Sequence, residues 1–178
     1  AAPAAKSEVP KPAAEAPPAA PPKPAPVEPP KPAPVPKVDP KPWPQSSSDI
    51  KADPKAVFGA LDNGLRYVIY PNSEPPKRVS LRLHISSGSL MEAEDQRGLA
   101  HFLEHMVFNG SKHFSSDELV PKMQRLGIGF GAHVNAFTSF DQTVYMLDLP
   151  DLSDETMNLG FTVMRDFGDG AKLDPAEI

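Results

Sequence analysis

Seventeen of the 24 prolines in this 178-residue chain lie in residues 1–44, and that clustering limits where a folded core can form. Each proline fixes its own φ and removes a backbone donor. The other residues there are mainly Ala, Lys and Val, with Trp43 the single aromatic. Such a segment cannot bury enough apolar surface to offset its ordering entropy. It is predicted to be a disordered, largely polyproline II spacer, with an upper reach on the order of 130 Å at about 3.1 Å per residue. Its Pro-x-x-Pro spacing would also suit proline-recognition domains. That spacing is unavoidable in so proline-rich a run, so the spacer reading is preferred. The polar run Gln45-Ser46-Ser47-Ser48-Asp49 marks the transition. The expected organisation is therefore a spacer over residues 1–48 and a folded domain over 49–178.

The net charge is −5, and residues 1–44 carry six lysines against four acids, which leaves about −7 on the remaining 134 residues. An acidic domain without a basic, aromatic-interleaved stripe is not a nucleic-acid binder. No apolar stretch approaches the roughly 20 residues of a membrane span. The opening Ala-Ala-Pro-Ala-Ala is like the small residues that follow signal cleavage. With the spacer behind it, the expectation is a bacterial cell-envelope protein, periplasmic or secreted, whose signal or lipid anchor has been removed. The absence of cysteine rules out disulfides and thiolate metal sites without choosing a compartment.

After Pro54 the sequence acquires regular periodicity. Two short β-prone runs, 57–61 and 66–70, flank Asp62-Asn63-Gly64, whose Asn-Gly pair predicts a hairpin. Val79, Leu81, Leu83 and Ile85 alternate with polar residues, the pattern of a strand with one buried face, so His84 points away from the core. A helix is predicted over 98–109. A second opens at Ser115 or Ser116 with Glu118 available for a capping box, buries Leu119, Met123 and Leu126, and stops at Gly127. Strands follow over 132–137 and 143–149. A third helix is expected from Ser153 or Asp154 to Gly168 or Gly170, burying Met157, Phe161, Met164 and Phe167. Asp174-Pro175-Ala176-Glu177 carries the signature of one more helix start. The irregular order of strands and helices predicts an α+β fold, an antiparallel or mixed sheet with helices packed on it.

Chemistry is concentrated in His101-Phe102-Leu103-Glu104-His105. On a helix, positions i and i+4 are surface neighbours, so both imidazoles can reach one ion at about 2.0–2.1 Å while Glu104 falls between them. With about 100° per residue, Glu104, His105 and Phe108 lie near His101, and Leu99, Phe102, Leu103, Met106 and Val107 cover the opposite arc. The expectation is that this second arc is buried in the core and the first faces a cavity.

Further residues extend the match. Gly88-Ser89, Glu92 and Gly98-Leu99-Ala100 before the motif, and Met106-Val107-Phe108-Asn109-Gly110-Ser111 after it, resemble the pitrilysin/insulinase family of zinc metallopeptidases, the inverted counterpart of the His-Glu-x-x-His enzymes. Gly131-Ala132-His133-Val134-Asn135-Ala136-Phe137-Thr138-Ser139 is similar to that family's substrate-docking strand. The resemblance runs from about Val57 to Ile178. It implies a zinc endopeptidase with one Zn²⁺ per site, His101 and His105 as ligands and Glu104 as general base toward a metal-activated water. It implies that Asn135 and Ala136 pair with an extended peptide or unfolded protein substrate, and that Phe108 belongs to the adjoining wall. The family's third ligand is a glutamate in the helix that starts near Asp174, beyond the last residue of this chain, so a fragment of weak or no activity is expected, with homologous domains downstream. Glu177 sits in a capping box too early in that helix to match. His113, in a connection between helices, and His133, on a strand, read as ordinary polar surface residues. The alternative is a non-catalytic peptidase-like structural or partner subunit of the envelope, although such members generally lose motif residues and here the motif is whole.

Overall fold

Alternation of apolar and polar residues over 79–85 and a largely apolar run over 143–149 build the central sheet. In the computed structural model, which describes residues 41–175, β3 (Val79–Ile85), β4 (Val134–Thr138) and β5 (Thr143–Leu149) form an antiparallel sheet in the order β3-β5-β4. The register sets Leu81 opposite Leu147, Leu83 opposite Tyr145 and Ala136 opposite Tyr145. One face is therefore lined by Tyr145, Leu147, Leu149 and Val134, which belong to the hydrophobic core, and by Leu81 and Leu83, which are partly buried against it. The expected α+β class is what the chain adopts.

The earlier strands are β1 (Val57–Ala60) and β2 (Arg66–Ile69), paired in a separate two-stranded sheet. Their turn differs from the two-residue Asn-Gly form. Leu61 N–H donates to Leu65 O at 2.8 Å, and Gly64 alone takes a positive φ, 85°, the arrangement of a three-residue loop with a left-handed closing residue.

The described residues divide into two compact units, 41–51 with 58–67, and 52–57 with 68–175. Within the first, Trp43 meets Phe58 edge-on at 5.1 Å and carries the Arg66 guanidinium over its ring at 4.7 Å. The last residues of the expected spacer are thus placed against the hairpin, whereas residues 1–40 lie outside the description. In the second unit Tyr70 donates its hydroxyl proton to Asp53 at 3.0 Å.

Three helices complete the second unit: α1 (Leu99–Met106), α2 (Leu119–Arg125) and α3 (Asp154–Asp169). Ser115 and Glu118 do contact each other, the Ser115 backbone N–H and hydroxyl both donating to the Glu118 carboxylate. They close only a turn, however, and α2 begins after it. Ser153 caps α3, its hydroxyl accepting from Thr156 N–H at 3.3 Å.

The buried face of α3 is Thr156, Leu159, Gly160, Val163, Asp166 and Phe167. This corrects the predicted stripe, since Phe161 is exposed and Met157 and Met164 are only partly buried. Gly160 is the reason. A Cβ there would stand 2.8 Å from Leu149 Cδ1, so the helix lies against the sheet along its smallest residue and turns Phe161 outward. Among the described residues, no helix is long and apolar enough to cross a membrane. The predicted helix start at Asp174 runs into residues 176–178, outside the description.

Candidate metal centre

The motif helix begins where the chain needs a glycine. Gly98 takes φ 92°, a left-handed conformation that costs other residues more. Its start is held from outside the helix, because Glu92 Oε2 accepts from Gly98 N–H and Oε1 accepts from Ala100 N–H, each at 2.7 Å. Two of the backbone donors that any helix start leaves unpaired are thereby satisfied by one carboxylate. The Ala100 N–H, followed by that of Gly98, holds the Glu92 carboxyl below the usual carboxylate range. The segment that carries Glu92 is fixed in turn by Ser89 N–H on Ser139 O (3.1 Å) and Leu90 N–H on Phe140 O (2.8 Å).

This start leads directly into the two histidines. Nε2 of His101 and Nε2 of His105 lie 3.1 Å apart, with ring centroids 4.7 Å apart and planes at 59°. One donor atom from each of His101, Glu104 and His105 falls within 4.8 Å of the others, the one such group of three among the described residues. Two ligands on a tetrahedral ion at about 2.0–2.1 Å stand roughly 3.3 Å from each other. The imidazole pair therefore fits a zinc-sized ion, and neutral nitrogen donors suit it.

Burial around the helix departs from the expected division into two arcs. Met106 and Val107 are in the core, but Leu99, Phe102 and Leu103 are 53%, 41% and 44% exposed, while Glu104 is only 8% exposed. The cause is the position of the sheet. α1 packs on β4 and β5, so Glu104, Met106 and Val107 are covered together, while His101 and His105 remain exposed. Glu104 Oε2 accepts the Thr138 hydroxyl proton at 2.5 Å. Behind it, the Thr143 hydroxyl donates to Ser87 O at 3.0 Å and lies 3.5 Å from Thr138 Oγ1. Tyr145 lies in the same buried region, and burial, then the Glu104 charge, pushes its phenol up to about 12, so it stays protonated.

The other predicted residues are spread along the neighbouring elements. Asn135 and Ala136 lie on β4, the edge strand of the sheet, and Asn135 Oδ1 accepts the Ala136 N–H at 2.9 Å. Phe108 is partly buried and packs against Phe167 at 4.8 Å and Phe130 at 5.2 Å. It is part of an aromatic cluster that also contains Tyr145. His84 is exposed, as expected, with Nε2 3.0 Å from Gln142 Oε1.

Two histidines depart from expectation. His133 lies in the turn before β4 rather than on a strand, and its Nδ1 accepts the Gly129 N–H at 3.0 Å. His113 is bound to Asp166, a carboxylate 1% exposed, through Nδ1 at 2.7 Å and through its backbone N–H at 3.0 Å. Ser111 adds its hydroxyl proton to the same carboxylate at 2.5 Å. Glu92, Thr138 and Asp166 were not predicted from the sequence. Thr138 had a readable signal, since it follows Val134 and Ala136 at every second position and so shares their inward face.

The family Insulinase (Peptidase family M16) matches residues 67–178. The chain belongs to the insulinase family. Among its relatives, the probable zinc protease PqqL of Escherichia coli strain K12 is 39% identical over 126 residues, covering 71% of this chain and 14% of that protein. The protein of the same name from Haemophilus influenzae is 37% identical over 132 residues, covering 74% of this chain and 14% of its own length. The crystal structure of the periplasmic protease PqqL from Escherichia coli superposes with a TM-score of 0.70 at 38% identity, covering 73% of this chain and 14% of that one. This insulinase-family chain thus spans about one-seventh of these two curated relatives, each named as a probable zinc protease.

Proposed function

We propose that this chain carries the metal-binding and proton-transferring part of a zinc-dependent endopeptidase. The observation that carries the reading is the 3.1 Å pair of imidazole nitrogens on one turn of α1, with the buried Glu104 carboxylate between them in sequence. His101 and His105 are the ligands this chain contributes to one Zn²⁺. When bound, zinc supplies a Lewis acid and a water of pKa about 7. Glu104, held against the sheet and within reach of the pair, takes the proton of the attacking water and returns it to the leaving amine. The edge of β4 at Asn135 and Ala136 accepts an extended peptide or unfolded protein by main-chain pairing. The Asn135 side chain now occupies the Ala136 N–H, and a substrate carbonyl would take its place. Phe108 lends the wall beside the motif its stiffness.

The third ligand and the remaining domains belong to the larger protein implied by relatives of which this chain covers 14%. Leu99, Phe102 and Leu103 form an exposed apolar arc on α1, the kind of surface that further parts of such a protein cover. Residues 1–48 act as a spacer that holds the domain of residues 49–178 in the bacterial envelope, in line with the periplasmic location named for the Escherichia coli relative.

The test is made on the full-length protein. Glu104→Gln keeps the shape of the side chain but cannot accept a proton, so zinc content should stay at wild-type stoichiometry while peptide cleavage falls by ~10²-fold or more. His101→Ala should lose the metal. Wild-type turnover in the Glu104 variant would remove the proposed base. Stoichiometric zinc with no turnover in the wild type would instead favour a non-catalytic partner subunit.

A further inference from the structure

The buried Glu104 carboxylate has two oxygens in different situations. Oε2 accepts the Thr138 hydroxyl at 2.5 Å. Oε1 accepts no hydrogen bond among the described residues. We propose that Thr138 is a positioning residue for the reaction: it fixes the plane of the Glu104 carboxylate and reserves Oε1 for the proton it must take. This rests on the reading of Glu104 as the general base.

The hydrogen-bond inventory sets the direction of the Thr138 hydroxyl. A hydroxyl has one proton to give and two lone pairs to receive with. Thr143, buried behind Thr138 and paired with it in the β4–β5 register, gives its proton to the Ser87 carbonyl at 3.0 Å. It stands 3.5 Å from Thr138 Oγ1, at the limit of a hydrogen bond, and the Glu104 carboxylate offers only lone pairs, so the single Thr138 proton goes to Oε2. A hydroxyl-to-carboxylate bond of 2.5–2.7 Å is of the strong, charge-assisted class. It locks a side chain with three free torsions. The hydroxyl also comes from the last residue of a strand rather than from a loop, the kind of rigid support on which precise sites depend.

The contact is specific to the hydroxyl. Glu104 lies on α1 and Thr138 on β4, so the bond ties the motif helix to the strand whose edge carries Asn135 and Ala136. Position of the base and position of the docking strand are set by the same pair of residues. A valine at 138 would fill the same volume, keep the β-branched shape that suits a strand, and leave the carboxylate free to rotate.

The experiment uses the full-length protein with zinc and an internally quenched peptide. Thr138→Val should bind zinc with an affinity within about twofold of wild type and melt a few degrees lower, because a buried carboxylate loses its partner, while kcat falls ~10- to 100-fold, as loss of an outer-shell partner does. KM should change little, because the substrate's own contacts remain. Thr138→Ser restores the hydroxyl and should bring kcat back to within a few-fold of wild type. Wild-type kcat in Thr138→Val overturns the proposal. So does a loss of activity that Thr138→Ser fails to rescue, or one that appears as weakened zinc binding, since either assigns the residue a structural role alone. Glu104→Gln, measured in parallel, separates the two levels: if that variant cleaves normally, the reading of the base has failed, whatever Thr138 does.

Discussion

Asp166 offers the sharpest physical test of how this domain is held together. Its carboxylate accepts three hydrogen bonds: from Ser111 Oγ at 2.5 Å, His113 N at 3.0 Å and His113 Nδ1 at 2.7 Å. They join the loop after the motif helix to α3, beside backbone bonds from Lys112 N to Gly170 O (2.8 Å) and Lys172 N to Gly110 O (3.1 Å). Each bond to a charged acceptor contributes about 1.5–3 kcal/mol. Asp166→Ala deletes all three, and although the half-exposed His113 ring can turn to water, the buried Ser111 hydroxyl keeps little access to it. The expected loss is about 3 kcal/mol, below the plain sum because the bonds share one carboxylate.

Asp166→Asn behaves differently. Its amide oxygen can keep the two donors that share Oδ2, and its NH₂ can face a His113 Nδ1 that carries a lone pair, so the cost should be nearer ~1 kcal/mol. Amide exchange in the full-length protein reads this locally. The amides of Ser111, Lys112, His113 and Lys172 should exchange ~10²-fold faster in the alanine variant and ~5-fold faster in the asparagine variant. Equal effects of the two, or less than a fivefold change in Asp166→Ala, would refute the argument. Burial opposes ionisation of Asp166, but the bonds from Ser111 and then His113 together hold its carboxyl below the usual carboxylate range. Because the folded value is the depressed one, the stabilisation is complete above the unfolded pKa of about 3.9 and is lost as pH falls through the folded value. Corrected for intrinsic rates, protection of this loop should be flat down to about pH 4 and decline below it, and Asp166→Asn should remove that decline.

Two further perturbations probe the approach to the motif. Glu92→Gln removes a charge from the two backbone donors at the start of α1, so the amides of Gly98 and Ala100 should exchange faster and zinc should bind on the order of tenfold more weakly; unchanged exchange at both amides would show that the helix start does not depend on this carboxylate. Gly88→Ala places a Cβ 2.3 Å from Ser139 O and 2.8 Å from Gln142 N, which forces the 139–142 turn outward at a cost of roughly 1–3 kcal/mol, visible as a lower melting temperature; a neutral result would mean that the turn yields freely.

What could be read from the sequence was whatever depends on period or on one local signal. The alternation over β3 marked that strand and its inward face, because a one-residue slip would turn Leu81 and Leu83 outward, and the run over 143–149 marked β5. Ser153 announced the start of α3 and Gly127 the end of α2. The two histidines and Glu104 could be named because their spacing is set within one helical turn. The partners of Asp166, Glu92 and Thr138 could not be, since they lie 53, 8 and 34 positions away, although the inward phase of Thr138 was readable. A hydrogen bond across that distance leaves no mark on local periodicity.

The motif helix shows why a helical wheel alone misassigns a face. A wheel separates two arcs but does not say which the rest of the chain covers. Of the apolar arc, Met106 and Val107 are buried as expected but Leu99, Phe102 and Leu103 are not, and the sheet also covers Glu104 from the other arc. The chemistry explains the preference. With Glu104 as the proposed base, one oxygen has to be free to take a proton and the other restrained, and a donor aimed inward from a neighbouring element does that. The inward phase of β4 provides Thr138 where the two elements meet. The Thr138 hydroxyl offsets part of the cost of burying the carboxylate by satisfying one of its oxygens. The apolar arc is then left to surface from elsewhere. Relatives of which this chain covers 14% have ample chain with which to cover it. In the full-length protein, exchange at the amides of α1 should therefore be slower than the exposure of Leu99, Phe102 and Leu103 in residues 41–175 alone would allow; fast exchange along that helix would mean the arc stays open.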